Sequence, residues 1–196
     1  MNFTNRQIEI IKAATFLIGK KGIQNLTTKN LAAEMGFSEP ALYRHFENKT
    51  DILQSVLTFY RQQMKEGIEK LFTNNKKGAE KIKGLMDFQF NHFSENPAVV
   101  MVIFCETNLQ YDEVLSKSVL SILTQKKTML EQIIQLGQKD QSIRSDFNPS
   151  QLADIIMGSM RFTILRWRLS NFDFDLVKEG DKLWNTINKI LRCPKE

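Results

Sequence analysis

The sequence contains few of the residues that cross-link a chain or interrupt its helices. Its 196 residues include two cysteines, four prolines and nine glycines. Cys105 and Cys193 lie far apart and form no CxxC pair, so we expect reduced thiols rather than a disulfide scaffold or a cysteine-based zinc site. The scarcity of proline and glycine favours long helices, because both residues destabilise helix interiors.

Long apolar runs are also missing. The longest uninterrupted run, from Ala98 to Cys105, covers eight residues, whereas a membrane-spanning helix needs about 20. Near the N-terminus, Glu9 and Lys12 interrupt the apolar residues and no small-residue cleavage site follows, which does not fit a secretory signal. We therefore expect a cytoplasmic protein.

Motifs for catalysis and for cofactor binding are absent. The sequence has no GxSxG, GxxxxGK, GxGxxG or HExxH, and no carboxylate pair can be assigned as general acid and base. Only two histidines occur, His45 and His92, and we assign them to different domains. The sequence therefore predicts no enzyme, no metal site and no cofactor.

Apolar residues at helical spacing dominate what the sequence does contain. They recur at i, i+3, i+4 and i+7, and the alternation typical of strands is nearly absent. Thr4 and Gln7 form a T-x-x-Q capping box at the start of the first helix, and Gly19 and Gly22 mark its end. We predict an all-α protein of about nine helices. After the first, they cover about residues 28–35, 38–46, 49–72, 79–93, 97–104, 111–136, 149–169 and 175–191.

Two of these helices are very short and are joined at Gly36, which is the spacing of a helix-turn-helix. Such a turn needs a residue that tolerates positive φ, and Ala32 is small enough for the helices to cross closely. The exposed face of the second helix offers hydroxyl, guanidinium, imidazole and aromatic groups, which contact phosphates and base edges in DNA. The alternative is a compact three-helix subdomain with a polar surface, because helix-Gly-helix spacing alone is common.

The string LTTKNLAAEMGFSEPALYRHFENKTDIL, residues 26–53, closely resembles the DNA-binding signature of the tetracycline-repressor (TetR) family. With the pattern of the first helix, the resemblance covers about residues 5–55. It implies a three-helix helix-turn-helix DNA-binding domain over residues 1–48. A larger helical domain for effector binding and dimerisation would follow over residues 49–196.

The resemblance implies a set of DNA-contacting residues on the two short helices and at the start of the next. The paired threonines would meet phosphate at a helix start, where amides and the helix dipole favour anions. The complete set is Thr27, Thr28, Lys29, Ser38, Pro40, Ala41, Tyr43, Arg44, His45 and Lys49. Glu39 departs from the family pattern. Its carboxylate either accepts a hydrogen bond from a cytosine amine or points away from the polyanion.

The charge distribution agrees with a DNA partner at the N-terminal end. Residues 1–49 contain 7 basic and 4 acidic residues, a balance of 7 − 4 = +3. Residues 50–196 contain 20 basic and 18 acidic residues, a balance of +2 over three times the length. Positive charge concentrated in one segment is the electrostatic footprint of a nucleic-acid-binding domain.

Ten of the 14 phenylalanines and both tryptophans lie beyond residue 50. Most of these residues belong to a core, but methionines among aromatic rings also suit a pocket that adapts to an apolar ligand. The resemblance implies an effector pocket here, for a small, largely apolar or aromatic molecule of unknown identity. Glu106, Tyr111 and Arg161 are possible polar contacts. The candidate pocket residues are Met86, Phe88, Phe90, His92, Phe93, Met101, Phe104, Tyr111, Met129 and Met160.

The last two helices present a broad apolar face with a small Gly-Ser pair, and the resemblance implies a four-helix dimer interface there. The candidate interface residues are Leu152, Ile155, Gly158, Ser159, Leu176, Leu183, Trp184, Ile187 and Leu191. A two-fold dimer would place two recognition helices about one turn of DNA apart, roughly 34–36 Å.

Three functions follow as hypotheses. The first is a homodimeric transcriptional regulator, a repressor that binds a palindromic operator and is released by the effector. The alternative is an effector-independent DNA-binding organiser, in which the C-terminal domain serves only assembly. The third, an enzyme that uses the aromatic pocket, is disfavoured by the missing catalytic motifs.

Overall fold

The computed structural model describes residues 3–72, 75–104 and 109–192. Within these ranges it contains one 3₁₀ turn, Ile23–Asn25, and no strand, so the all-α prediction is confirmed. No described helix is both long and apolar enough to cross a bilayer. The nine described α-helices are α1 (Asn5–Lys21), α2 (Thr28–Met35), α3 (Glu39–Leu42), α4 (Lys49–Phe72), α5 (Gly78–Glu95), α6 (Pro97–Ile103), α7 (Glu113–Lys139), α8 (Pro149–Leu169) and α9 (Leu176–Leu191).

The predicted capping box is present at the start of α1. The Thr4 hydroxyl accepts from the Gln7 amide at 3.2 Å, and the Gln7 side chain accepts from the Thr4 amide at 3.0 Å. Helix α3 differs from its prediction, because it ends at Leu42 instead of about residue 46. The Leu42 carbonyl accepts the His45 amide at 2.9 Å, an i−3 bond that tightens the chain into a turn.

Packing divides the chain into two compact units. The first comprises Met1–Gln63 and Asn96–Ser121. In this unit α1 packs directly on α6, and a Cβ built on Gly19 would lie 2.8 Å from the Cβ of Ala98. The buried face of α1, which includes Ile10, Leu17 and Ile18, provides much of the core.

The second unit comprises Met64–Glu95 and Ile122–Glu196. Here α9 packs against both α5 and α8. Helix α5 approaches α9 closely at Gly180, where a Cβ would lie 2.4 Å from Cδ2 of the buried Phe90. The Lys83–Asp181 ion pair, at 2.9 Å, joins α5 to α9, and the Lys127–Asp154 ion pair, at 2.7 Å, joins α7 to α8.

The domain boundary predicted between residues 48 and 49 lies inside the first packing unit. That boundary separates proposed functions, whereas the two units are defined by packing alone. It therefore stays a prediction about function. By packing, the first part of α4, all of α6 and the first part of α7 group with the helix-turn-helix.

Candidate functional site

The turn between α2 and α3 has the geometry that the sequence predicted. Gly36 adopts the left-handed conformation, with φ of 66°. The Phe37 amide donates to the Ala32 carbonyl at 2.8 Å, and the Gly36 amide donates to the Ala33 carbonyl at 3.2 Å. This pair of bonds is a Schellman motif, which ends α2 and sets the direction in which α3 begins.

Helix α2 begins with a side-chain cap. The Thr27 hydroxyl accepts from the Asn30 amide at 3.0 Å, and the Asn30 side chain donates to the Asn25 carbonyl at 2.8 Å. Thr28 and Lys29 therefore occupy the first turn, where the helix dipole favours an anion. Lys29 is exposed and Thr28 is half-buried.

Buried side chains at one end of α3, together with contacts to α1, hold α3 in place. Leu42 and Phe46 are buried. The Gln7 side chain of α1 donates to the His45 carbonyl at 3.3 Å, and the Arg6 guanidinium lies 4.7 Å from the centre of the Phe37 ring. These contacts tie both ends of the α3 region to the first turns of α1.

A reciprocal arrangement caps the start of α4. The Asn48 side chain accepts from the Asp51 amide at 2.9 Å, and the Asp51 carboxylate accepts from the Glu47 amide at 3.0 Å. Lys49 is exposed at the first position of this helix. Its ammonium group is therefore available to an anion at the start of α4.

The ten residues predicted to contact DNA all lie on α2, on α3 and the turn that follows it, at the N-caps of α2 and α3, and at the first position of α4. Each of them is accessible, and the Tyr43 side chain is 51% exposed. Their contacts with DNA stay a prediction. The exposed members are Thr27, Lys29, Ser38, Pro40, Tyr43, Arg44 and Lys49, and the half-buried members are Thr28, Ala41 and His45.

Glu39, the residue that departs from the family pattern, is engaged within the protein. Its carboxylate accepts a hydrogen bond from the Thr28 hydroxyl at 2.7 Å. The Tyr43 hydroxyl donates to the same Thr28 oxygen at a longer 3.5 Å. A carboxylate therefore lies beside two hydroxyls of the set predicted to contact DNA.

The residues predicted for the effector pocket differ in burial. Tyr111 is 88% exposed, and its place in an effector pocket stays a prediction. Glu106, a predicted polar contact, lies outside the described residues, as do Cys105 and Cys193. Five are buried, namely Met86, Phe90, Phe93, Phe104 and Met160, and four are half-buried, namely Phe88, His92, Met101 and Met129.

His92 is the one ionisable residue among the half-buried members of that set. Its ring stacks on Phe88 at a centroid distance of 5.9 Å and lies 6.0 Å from Phe93. Burial lowers the pKa of His92, the Glu95 carboxylate raises it and the Lys126 ammonium lowers it. Burial also lowers the pKa of Lys126 itself. Burial therefore lowers the pKa of both cationic groups.

A groove of about 460 Å³ lies elsewhere in the second unit. It is lined mainly by polar and charged side chains from α5, α9 and the C-cap of α9, including Lys83, Asp87, Trp184 and Arg192. None of the predicted pocket residues lines it. Trp184 was predicted at the dimer interface, and the structure places this ring half-buried at the groove.

The predicted dimer residues divide into buried and accessible groups. Leu152, Leu176, Ile187 and Leu191 are buried within their own chain, and their part in a dimer interface stays a prediction. Their apolar spacing is explained by packing inside the second unit. The accessible members are Ile155, Gly158, Ser159, Leu183 and Trp184.

An exposed apolar line on α8 was only partly recognised in the sequence. Ile155, Phe162 and Leu169 are 48%, 61% and 69% exposed and follow one another every seven residues. Gly158 lies between the first two, and a Cβ there would meet no atom within 4 Å. Seven-residue spacing is the signal that identifies this line, since it places side chains along one side of a helix.

Metal ligands do not gather in the described part of the chain, where no group of three or more His, Cys, Asp or Glu side chains could hold an ion. His45 belongs to the first packing unit and His92 to the second.

Two family descriptions match the chain. "Bacterial regulatory proteins, tetR family" matches residues 10–56, and "YsiA-like protein, C-terminal region" matches residues 59–190. The first match contains α2, α3 and the start of α4, and the second covers more than half of the chain. Among curated relatives, the nucleoid occlusion factor SlmA of Photobacterium profundum is 24% identical over 96% of both chains.

Solved structures share the fold. The fatty acid degradation regulator FadR from Bacillus halodurans has a TM-score of 0.85 at 17% identity, covering 95% of this chain and 96% of its own. FadR from Bacillus subtilis, solved in complex with stearoyl-CoA, has a TM-score of 0.78 at 20% identity, covering 94% and 99%. Because the two family matches together cover both the helix-turn-helix and the helices that follow it, the chain belongs to the TetR family of bacterial regulatory proteins.

Proposed function

We propose that the protein is a homodimeric transcriptional repressor that binds a palindromic operator and is released by a small, largely apolar effector. The observation that carries the proposal is the surface formed by α2, α3 and the start of α4. It presents ten accessible residues of suitable chemistry in the segment that has a net charge of +3.

In this proposal α3 enters the major groove. Pro40 and Ala41 approach base edges or thymine methyl groups, while Lys29, Tyr43 and Lys49 contact phosphates on either side. Phosphate contacts position the protein and supply the salt-dependent part of the affinity. Base contacts from a helix as short as α3 read only a few base pairs, so one protomer alone discriminates weakly.

A dimer recognises a longer DNA sequence than one protomer does. Two copies related by a two-fold axis read two half-sites, and their combined contacts determine the operator. The accessible apolar line of Ile155, Phe162 and Leu169 on α8 supports such a pairing, because apolar residues every seven positions are suited to helix-helix packing.

The effector part of the proposal concerns the aromatic and methionine-rich interior of the second unit. Phe88 and His92 are half-buried there, next to the fully buried Phe90 and Phe93. A similar structure was solved with stearoyl-CoA, so a long-chain acyl thioester is the first probe. The effector releases DNA only to the extent that it binds the released conformation more tightly than the DNA-bound one.

Selection of bound duplexes from a random library tests the DNA part directly. We expect enrichment of a palindromic sequence whose half-sites lie about one or more helical turns apart, with two or more chains on each duplex. Enrichment of no sequence, at low salt and with correctly folded protein, would contradict the proposal. Stearoyl-CoA is then added to the isolated complex, and we expect the affinity for the duplex to fall.

A second candidate function is an effector-independent DNA-binding organiser. The observation that favours it is the set of relatives described as nucleoid occlusion factors, which match the chain almost end to end. This candidate predicts DNA affinity that does not change when stearoyl-CoA or a panel of apolar metabolites is added. The same challenge of the selected complex therefore separates the two functions.

A further inference from the structure

Three side chains at the junction of α2 and α3 form a short hydrogen-bond chain. The Tyr43 hydroxyl donates to the Thr28 hydroxyl at 3.5 Å, and the Thr28 hydroxyl donates to the Glu39 carboxylate at 2.7 Å. Thr28 and Glu39 are half-buried, and Tyr43 is exposed. The Glu39 carboxylate sets the direction of this hydrogen-bond chain, because an ionised carboxylate accepts hydrogen bonds and donates none.

The chain uses the donor protons of both hydroxyls. A threonine or tyrosine hydroxyl carries a single proton. In this arrangement the proton of Thr28 points to Glu39 and the proton of Tyr43 points to Thr28. While this arrangement lasts, neither proton is directed at a phosphate oxygen, although both residues belong to the set predicted to contact DNA.

We propose that Glu39 occupies the place of a DNA phosphate in the free protein, and that a cytosine amine in the major groove draws the carboxylate away and releases Thr28 and Tyr43. The inference rests on the proposed function of α2 and α3 as the DNA interface. It resolves the two alternatives for Glu39, since the residue points inward in the free protein and toward a base in the specific complex.

The chemistry couples base recognition to backbone contact. On a duplex without a suitably placed cytosine, a displaced carboxylate would face a polyanion and find no hydrogen-bond donor. The hydrogen-bond chain therefore stays closed, and Thr28 and Tyr43 do not donate to phosphates. On the operator, the exocyclic N4 amine of cytosine is a hydrogen-bond donor that a carboxylate accepts. Glu39 therefore weakens non-specific binding more than specific binding.

The test compares the parent protein with Glu39→Ala on two duplexes, the selected operator and a scrambled duplex of equal composition. We expect the variant to bind the scrambled duplex at least roughly threefold more tightly, and the ratio of operator to scrambled affinity to fall roughly tenfold. Glu34→Ala is the matched control. It removes the same charge from an exposed position of α2, and we expect it to leave the ratio unchanged. Equal effects of the two variants would overturn the proposal.

A double-mutant cycle tests the hydrogen-bond chain itself. In a background carrying Thr28→Val and Tyr43→Phe, which keeps both shapes and removes both hydroxyls, Glu39→Ala has no phosphate contacts to release. We therefore expect its gain on the scrambled duplex to become clearly smaller than in the parent background. An undiminished gain would show that Glu39 acts by charge alone and would contradict the proposed chain.

Replacing each C·G pair of the operator half-site by T·A, one at a time, tests the cytosine contact. We expect one replacement that weakens binding of the parent and leaves binding of Glu39→Ala almost unaffected, and the absence of any such position overturns the cytosine contact.

If the parent binds no duplex in a salt-dependent manner, the proposed function fails. The contact within the free protein is then tested separately by the NMR signals of Thr28 and Tyr43, which shift in Glu39→Ala if the chain exists.

Discussion

At the scale of single residues, the tightest constraints lie where a helix passes another side chain with no room for a Cβ. Gly180 of α9 is such a position, because an added Cβ would lie 2.4 Å from Cδ2 and 2.9 Å from Cγ of Phe90. Phe90 is fully buried, so its ring has no open space into which it can move. The separation of α5 and α9 therefore depends on the missing side chain.

We expect Gly180→Ala to lower the free energy of unfolding by about 1–3 kcal/mol, the usual cost of overpacking a core. Urea titration followed by circular dichroism measures the change. The control is Gly180→Ala combined with Phe90→Leu, which shortens the side chain that the new methyl group meets. A double variant that is no more stable than the sum of the two single effects would contradict this explanation.

Some features of single residues could be predicted from the sequence, and others could not. The positive φ of Gly36 was predicted, because the residues on both sides of the turn determine it. The close approach at Gly180 was not predicted, because its partner Phe90 is 90 positions away in the chain. The hydrogen bond between Thr28 and Glu39 could not be predicted either, since the sequence alone does not determine the rotamer of either side chain.

At the scale of helices, the start of α7 is joined to the start of α4 within the first unit. The Asp112 carboxylate accepts from the Leu115 and Val114 amides at 3.1 and 3.0 Å. It also accepts from the Thr50 hydroxyl, one residue after Lys49, at 3.0 Å. The Leu115 amide, followed by the Thr50 hydroxyl and the Val114 amide, holds the pKa of Asp112 below its ordinary value of 3.8.

Because the pKa of Asp112 is lowered, the stabilisation that this cap gives to the folded state depends on pH. The charged form is favoured in the folded state, so the stabilisation is present above a pH of about 3.8 and is lost as the pH falls through the lower folded-state pKa. We expect Asp112→Ala to lower the melting temperature at pH 7, with the difference from the parent shrinking as the pH approaches 3. Thermal unfolding at several pH values measures it.

Asp112→Asn is the control for the charge, since it keeps a cap acceptor that does not titrate. Its difference from Asp112→Ala should not vary with pH. If the deficit of Asp112→Ala were the same at pH 3 and at pH 7, the carboxylate would not be the source of the stabilisation.

Helices show a similar division between predictable and unpredictable features. The capping box of α1 and the extent of α8 were predicted from local signals. The early end of α3 was not, because the same residues fit either one more helical turn or a tight turn, and the bond between His45 and Leu42 decides between them. The sequence did not separate the buried apolar side of α8 from its exposed apolar side, because periodicity does not distinguish a core from a partner surface.

At the scale of the complete protein, the proposed binding of a palindromic operator requires two copies of the chain. Ile155, Phe162 and Leu169 form the exposed apolar line of α8, and we propose that a second protomer covers it. We expect Phe162→Glu to shift the protein toward monomer in analytical ultracentrifugation and to weaken operator binding together with dimerisation.

The control is Leu120→Glu, which places the same charge at a comparably exposed leucine of α7, outside α8. We expect this variant to sediment like the parent. If Phe162→Glu remained a dimer with unchanged operator affinity, the partner surface would have to lie elsewhere.

Helical spacing along the whole chain predicted the class of fold, and about 50 N-terminal residues predicted the family, since the helix-turn-helix is defined by local spacing. The effector site was less predictable, because aromatic and methionine residues have the same spacing in a core and in a pocket. Of the ten candidates, Met101, Phe104 and Tyr111 belong to the first packing unit and the others to the second. Only the packed structure revealed that division.

The salt dependence of operator binding tests directly whether α2, α3 and the start of α4 form the DNA-binding surface. The affinity of the parent and of Lys49→Ala for the selected duplex is measured over a range of salt concentrations, with Lys139→Ala as a control for an exposed lysine at the end of α7. We expect steep salt dependence in the parent and a slope lower by about one in Lys49→Ala, as for one lost phosphate contact. We expect Lys139→Ala to match the parent. Identical affinity and slope in all three proteins would contradict the assignment of α2, α3 and the start of α4 as the DNA-binding surface.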